Sequence, residues 1–383
     1  MKISPQRDLF DIPEGVAYLN CAYMAPTLRA ARRAAEEALE RTSHPWQITP
    51  RDFFSGCEEV RSLFARLIGG DPDGVAIVPS VSYGMAVAAA NVPVEKGEKI
   101  VVLEEEFPSS YYCWRELARR KGARLSVVRR PPDGDWTSAV LEEIDESTAV
   151  VVATNCHWTD GTLLDLVKVG EEARSVGAAL VVDGIQSLGA MPFDVKEVRP
   201  AFLATASYKW LLGPYGVGFL WVSEEYRSGT PIEHNWINRA GSERFSHLVD
   251  YRDDFQPGAR RYDAGERSNF VLLPMAAEAL RQILSWGVGN IAETLASITA
   301  LIEEEAVERG MEPTPSALRA PHMLGIRLEP PIPEDLPTQL ASRRVHVSVR
   351  GDSLRISPHL YNTGEDVSLL FSVLEEHARA RSV

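Results

Sequence analysis

Five short apolar runs in this chain end in side chains that can bind, orient or move protons. Leu180-Val181-Val182 runs into Asp183, with Gln186 three residues further on. Ala149 to Ala153 runs into Thr154-Asn155-Cys156-His157, and Ala76-Ile77-Val78 precedes Ser80-Val81-Ser82 at the start of a small-residue, helix-friendly stretch. Ile100 to Leu103 is followed by Glu104-Glu105-Glu106 and then Phe107; Phe202-Leu203-Ala204 is followed by Ser207-Tyr208-Lys209. Singly, each has an ordinary explanation. An Asp after a strand forms turns, a Ser at a helix start is an N-cap, and a lone His is usually packed or hydrogen-bonded.

Together they match the demands of one cofactor, pyridoxal phosphate. Its aldehyde needs a lysine amine for a Schiff base, and its pyridine nitrogen needs a carboxylate to stay protonated. Its phosphate needs helix N-terminal N–H groups and hydroxyls, and its ring needs a flat apolar face. Lys209, Asp183, Ser80 with Ser82, and Phe107 supply one residue type for each task. Competing chemistries lack their signatures. No HxH or HExxH occurs among the eight histidines, so no metal site is expected. No GxGxxG turn follows a strand run, which speaks against a nicotinamide site.

These residues need a scaffold that brings strand ends together. From about Val75, buried-strand candidates alternate with helical stretches such as Pro108 to Lys121 and Asp165 to Val176, the latter closed by Gly177. The strands (Leu125 to Val128 among them) are continuously apolar, as strands covered on both faces should be. The expectation is an α/β fold: a large domain with a mostly parallel sheet and ligands at the strands' carboxyl ends. After the Gly216 to Val222 strand comes an irregular segment, about Ser223 to Asn269, too long for a simple connector. Helices from about Leu273 to Trp286 and Ile291 to Arg309 follow. A strand at His322 to Leu328, a helix at Glu334 to Ser342, short strands near Val345 and Leu354 and a last helix from Asp366 complete a smaller C-terminal α+β domain. The expected division is 1–20 as a segment associated with the small domain, 21–286 as the large domain and 287–383 as the small one.

Composition sets the outer limits. The 383 residues are 45% hydrophobic and 25% charged, and 40 Lys and Arg against 54 Asp and Glu give a net charge of −14. That balance speaks against nucleic acid or an anionic membrane as partner. No apolar run is long enough to span a bilayer, and Met1 to Phe10 lacks a signal peptide's apolar core. Cys21, Cys57, Cys113 and Cys156 lie far apart without a CxxC, so neither a disulfide framework nor a zinc cage is expected. A reduced, cytoplasmic enzyme is the expectation.

Val182-Asp183-Gly184-Ile185-Gln186-Ser187, Ser207-Tyr208-Lys209-Trp210 and Gly216-Val217-Gly218-Phe219-Leu220 resemble the class V aminotransferase family. This group of fold-type-I pyridoxal-phosphate enzymes includes cysteine desulfurases, kynureninase and isopenicillin N epimerase-like proteins. The resemblance runs from Tyr18-Leu19-Asn20 to Tyr361-Asn362-Thr363. It implies that Lys209 is the Schiff-base lysine, Asp183 the pyridinium partner and Gln186 the side chain on the phenolic oxygen. It implies phosphate contacts from Ser207, Tyr208 and the Ser80-Val81-Ser82 turn, whose register stays open. Phe107 falls at the ring-stacking position and Asn155 at the family's Asn near the cofactor. Gly265-Glu266-Arg267-Ser268-Asn269 corresponds to a loop that reaches a neighbouring subunit's phosphate, so Ser268 and Asn269 join the cofactor set and a homodimer with shared sites is implied. Arg355, ahead of Tyr361-Asn362-Thr363, corresponds to the substrate-carboxylate arginine, with Arg350 a nearby rival. Asn20 and Trp236 complete the expected substrate contacts.

The family acts at the α-carbon of L-amino acids through an external aldimine. Val347-Ser348-Val349-Arg350-Gly351-Asp352, where desulfurases carry a mobile nucleophilic cysteine, has none. Phe107 cannot shuttle a proton, which leaves Lys209 as the base and His157 as a secondary acid/base candidate. The resulting expectation is a lyase-type reaction, β-elimination or C–S or C–C cleavage. Aminotransferase and amino-acid epimerase are the alternatives. A degenerate pyridoxal-phosphate-binding module is the non-enzyme reading, which the presence of Lys209 opposes.

Overall fold

The computed structural model describes residues 1–328 and 332–381. In chain order the strands are β1 (Ala17–Tyr18), β2 (Val75–Val78), β3 (Lys99–Leu103), β4 (Arg124–Val128), β5 (Thr148–Thr154), β6 (Ala179–Asp183), β7 (Phe202–Ala206), β8 (Gly218–Val222), β9 (Glu312–Pro313), β10 (Leu324–Arg327), β11 (Val345–His346), β12 (Ser348–Arg350) and β13 (Ser353–Ile356). Seven of them form the large sheet in the order β2-β8-β7-β6-β5-β3-β4. Only β8 runs antiparallel to its neighbours, β2 and β7. The mixed α/β architecture with a mostly parallel sheet is therefore as the sequence predicts.

Strand alternation sorts the apolar side chains. Val101, Val151, Val182 and Leu203 enter one core layer, while Val102, Val152, Val181 and Phe202 enter the other. The second layer lies against helices Val81–Asn91 and Pro108–Lys121. Gly84 lets the first of these sit close: a Cβ there would stand 2.9 Å from Ala204 Cβ. One strand departs from expectation. Leu125 to Val128 reads as doubly covered, yet β4 is the terminal strand of the sheet and Val127 is exposed.

Helices Arg29–Thr42 and Asp52–Leu67, not anticipated from sequence, pack on Leu272–Trp286. The C-terminal unit carries the antiparallel sheet β12-β13-β10-β9 with helices Val288–Glu308 and Gly364–Arg381. β1 pairs in parallel with β11, and Ala17 and Leu19 bury in the same apolar cluster as Ile302, Leu354 and Phe371. The segment after β8 holds only short 3-10 turns before Leu272. It is pinned by buried Asp263, which accepts from Arg61 Nη2 at 2.8 Å and from Ile77 N at 2.6 Å and pairs with Arg267 at 2.9 Å. No helix among the described residues is long and apolar enough to cross a membrane.

Candidate active site

Parallel register places Asp183 between Thr154 of β5 and Ala204 of β7, at the carboxyl end of the sheet. Its carboxylate is buried and accepts from Ile185 N at 3.0 Å and from Ser110 Oγ at 3.3 Å. Burial pushes its pKa up, opposed by the Ile185 N–H and by the charge of Lys209. Lys209 follows β7. Its buried Nζ lies 5.9 Å from the Phe107 ring centroid and 5.7 Å from that of Tyr208. Burial first, then the positive charges of Arg355 and Arg350, lower its pKa to about 8 against the pull of Asp183. Phe107 precedes helix Pro108–Lys121, with its ring edge-on to Trp158 at 5.5 Å and partly open.

At the start of helix Val81–Asn91, Ser80 Oγ accepts from Tyr83 N at 3.2 Å and lies 2.9 Å from Ser82 Oγ. The N–H groups of Val81 and Ser82 precede the first intrahelical bond, as at any helix start.

A second group of residues closes over this one from β13 and the segment after β5. Arg355 is buried; its Nη1 donates to Trp158 O at 2.7 Å, while Nε and Nη2 have no partner. Arg350 lies with its Cζ 5.7 Å from the Trp158 ring centroid. Asn20 spends its amide where β11 leads into β12, donating to Val347 O at 3.3 Å and accepting from Ser348 Oγ at 2.8 Å. Gln186 donates to Ala22 O at 3.2 Å and accepts from Trp210 Nε1 at 3.0 Å, which leaves one amide hydrogen free.

Sequence reasoning missed Glu106. It is buried, accepts from Phe107 N at 2.7 Å through Oε1 and leaves Oε2 unpartnered. Burial and the neighbouring charge of Asp183 push its pKa up to about 8. The available signal was its place at the carboxyl end of β3, directly before Phe107; a run of three glutamates reads instead as a solvated turn.

The remaining expected contributors make other contacts within this chain. Asn155 donates to Leu164 O at 3.1 Å and lines a different cavity, beside Asp165 and Met191. His157 stacks on Trp136 with centroids 5.2 Å apart; Nδ1 meets Thr159 Oγ1 at 2.7 Å and Nε2 meets Glu104 O at 3.4 Å. Both of its nitrogens are engaged inside the protein, and burial lowers its pKa. Ser207 Oγ lies within hydrogen-bond reach of two carbonyls of the following loop, Pro214 O at 2.7 Å and Val217 O at 2.8 Å. Ser268 and Asn269 line a cavity with helices Arg29–Thr42 and Asp52–Leu67, away from Lys209 of the same chain. Trp236 packs with Phe53 and Phe245 at the surface.

Comparison with known proteins decides the family: the model for class-V aminotransferases matches residues 47–370. The chain belongs to this family. Among curated class-V relatives it is similar to an uncharacterized aminotransferase, YcbU, of Bacillus subtilis (strain 168), at 29% identity over 81% of this chain and 80% of that protein. It is also similar to isopenicillin N epimerase of Streptomyces clavuligerus, at 26% identity over 94% of both chains. Among solved structures, the cysteine desulfurase of Thermococcus onnurineus NA1 in its apo form superimposes with a TM-score of 0.83 at 21% identity, over 99% of this chain and 100% of that one. As a class-V aminotransferase-family member the protein is an enzyme, and its cofactor is pyridoxal phosphate. The residues present fit that group. The buried Lys209 amine makes no hydrogen bond among the described residues, a buried carboxylate faces it electrostatically, and Phe107 offers an open ring.

Proposed function

We propose that this class-V aminotransferase-family enzyme acts at the α-carbon of an L-amino acid as a lyase, by β-elimination or C–S or C–C cleavage, without a protein persulfide. When bound, pyridoxal phosphate supplies an aldehyde that condenses with amines and a protonated ring that draws electrons from the substrate. Asp183 holds the proton at the ring nitrogen, and Phe107 covers one ring face. Ser80, Ser82, Tyr208 and the Val81 and Ser82 N–H groups hold the phosphate; Gln186 offers its free amide hydrogen to the phenolic oxygen. Lys209, with its pKa lowered to about 8 by burial and by Arg355, is the base at the α-carbon. Arg355 offers Nε and Nη2 to the α-carboxylate as a two-pronged donor.

The observation that carries the lyase reading is the thiol arrangement. β12 and β13 are joined by Gly351-Asp352, where no cysteine stands. Cys21 and Cys156 are buried, and burial holds their thiols protonated. Neither supplies the exposed thiolate that sulfur capture requires. With His157 withdrawn into the core, Lys209 is left as the base, which suits elimination. The likeness to isopenicillin N epimerase over almost the whole chain favours an epimerase as the second reading, with amino transfer beside it. The proposal extends to a homodimer in which the 265–269 loop of each copy completes the other's phosphate site, and to domains divided at 20/21 and 286/287.

The test is a panel of L-amino acids followed by cofactor absorbance and product analysis. Elimination fragments support the proposal. A D-amino acid or a pyridoxamine form of the cofactor would overturn it in favour of the alternatives, and protein persulfide after incubation with cysteine would overturn the thiol argument. Lys209→Ala should abolish both the lysine-bound absorbance and turnover.

A further inference from the structure

The pocket contains one more cation than an ordinary amino acid requires. β12 and β13 pair with Ser348 opposite Arg355 and Arg350 opposite Ser353. Arg350 and Arg355 are therefore diagonal neighbours on one face of the hairpin, a spacing on the order of 7–8 Å between strand positions. Like charges so placed repel unless an anion lies between or beside them. Arg355 turns one nitrogen to Trp158 O and leaves two buried and unpartnered. Arg350 donates only to the adjacent Val349 O and lies over Trp158, with no carboxylate partner among the described residues. Three of the acids lining the same cleft as Arg350 are committed to other cations, Glu105 and Asp160 to Arg130 and Asp352 to Arg327; Glu106, Asp133 and Glu312 line it too, with no ion pair to Arg350 among the described residues. Arg350 also lines a cleft of about 760 Å³ that runs from Trp158 and Glu106 between the large sheet and the C-terminal unit.

We infer that the substrate is an amino acid bearing a second anionic group, with its α-carboxylate on Arg355 and the distal anion on Arg350. The inference rests on the proposed pyridoxal-phosphate chemistry and adds the substrate class. Trp158 links the two recognition points. Its carbonyl accepts from Arg355, its ring lies by Arg350, and it makes a T-shaped contact with Phe107 at 5.5 Å. A distal anion therefore seats against the indole that also borders the stacking residue, which fixes the rotation of the substrate about its α-carbon.

The experiment compares acids with their isosteric amides on the cofactor-loaded enzyme. L-glutamate and L-aspartate are titrated against L-glutamine and L-asparagine by cofactor absorbance. Glutarate against 4-carbamoylbutanoate, which lack the amine, is measured by calorimetry. The acid of each pair should bind at least about tenfold tighter, the preference expected of one desolvated charge pair. In Arg350→Gln, with cofactor absorbance and thermal midpoint retained, the acid-to-amide ratio should fall to about one. A ratio near one in the wild type overturns the inference whether or not the variant folds. If the absorbance still responds to amino acids, the cofactor reading survives that failure. If both arginines instead grip the α-carboxylate, Arg350→Gln weakens acid and amide equally, and the inference is again overturned. An enzyme whose absorbance ignores every amino acid and is unchanged in Lys209→Ala would overturn the reading beneath it.

Discussion

Glu106→Gln isolates the buried carboxyl beside Asp183. In the unfolded chain this group titrates near 4.5, and in the folded protein its pKa is raised to about 8. A carboxyl with a raised folded-state pKa gives its full stability below pH 4.5 and loses it as pH rises towards 8, because ionisation then favours the unfolded chain. Each pKa unit corresponds to about 1.4 kcal/mol, so the loss at saturation is nearly 5 kcal/mol, with about 2 kcal/mol already gone at pH 6. Glutamine keeps the acceptor for Phe107 N, carries no charge and does not titrate. The apoprotein's stability advantage from Glu106→Gln should therefore grow by about 2–3 kcal/mol between pH 6 and pH 9. Lys209 titrates in the same range but is present in both proteins, so it cancels to first order. Urea unfolding at the two pH values measures the gap. An identical gap at pH 6 and pH 9 would refute the reasoning and mean that Glu106 is already ionised at neutral pH.

Further consequences can be checked separately. Arg355→Lys should retain cofactor absorbance but weaken amino-acid binding by about 2–5 kcal/mol in equilibrium titration, because one ammonium cannot reproduce the two-pronged contact; unchanged affinity excludes Arg355. Capture of pyridoxal phosphate by apoprotein needs the neutral Lys209 amine, so its rate should rise with pH through a midpoint near 8. Arg355→Met removes a cation that depresses this lysine and should move the midpoint upward; a midpoint that stays or falls contradicts the electrostatic account. Asp263→Asn leaves Arg61 and Arg267 buried without their shared counter-ion, and should lower unfolding free energy by about 3–5 kcal/mol in a denaturant titration. A loss below about 1 kcal/mol would show that the triad does not anchor the segment after β8.

Asp183, Lys209 and Phe107 are legible in sequence because each lies where an apolar strand run stops, and a parallel sheet gathers those ends. Strand parity, equally legible, separates the failures. Thr154 Oγ1 reaches Asp183 O, whereas Asn155, one residue later, turns to Leu164 and a different cavity. Arg355 alternates with Leu354 and Ile356, and its guanidinium donates to Trp158 O. Ser207 illustrates a competitor that residue type conceals. Carbonyls of its own loop lie within reach, and the hydroxyl bonds to them.

Charge was harder to read than position because composition averages it away. The chain carries −14 overall, yet the charges of Arg355 and Arg350 both act on Lys209, which Asp183 opposes. Interactions between exposed charges are screened beyond about 8 Å at physiological ionic strength, so the acidic exterior has little influence on this interior. Within it, low dielectric makes each cation felt by the next. Burial first, and then this crowding, lowers Lys209 towards the pH at which it can act as a base, and the crowding leaves two guanidiniums without an anionic partner among the described residues. Base strength and substrate selection are thus coupled: a bound anion on Arg355 or Arg350 offsets the charge that keeps Lys209 deprotonated. Substrate binding should therefore raise the lysine's affinity for a proton at the point where it must accept one from the α-carbon.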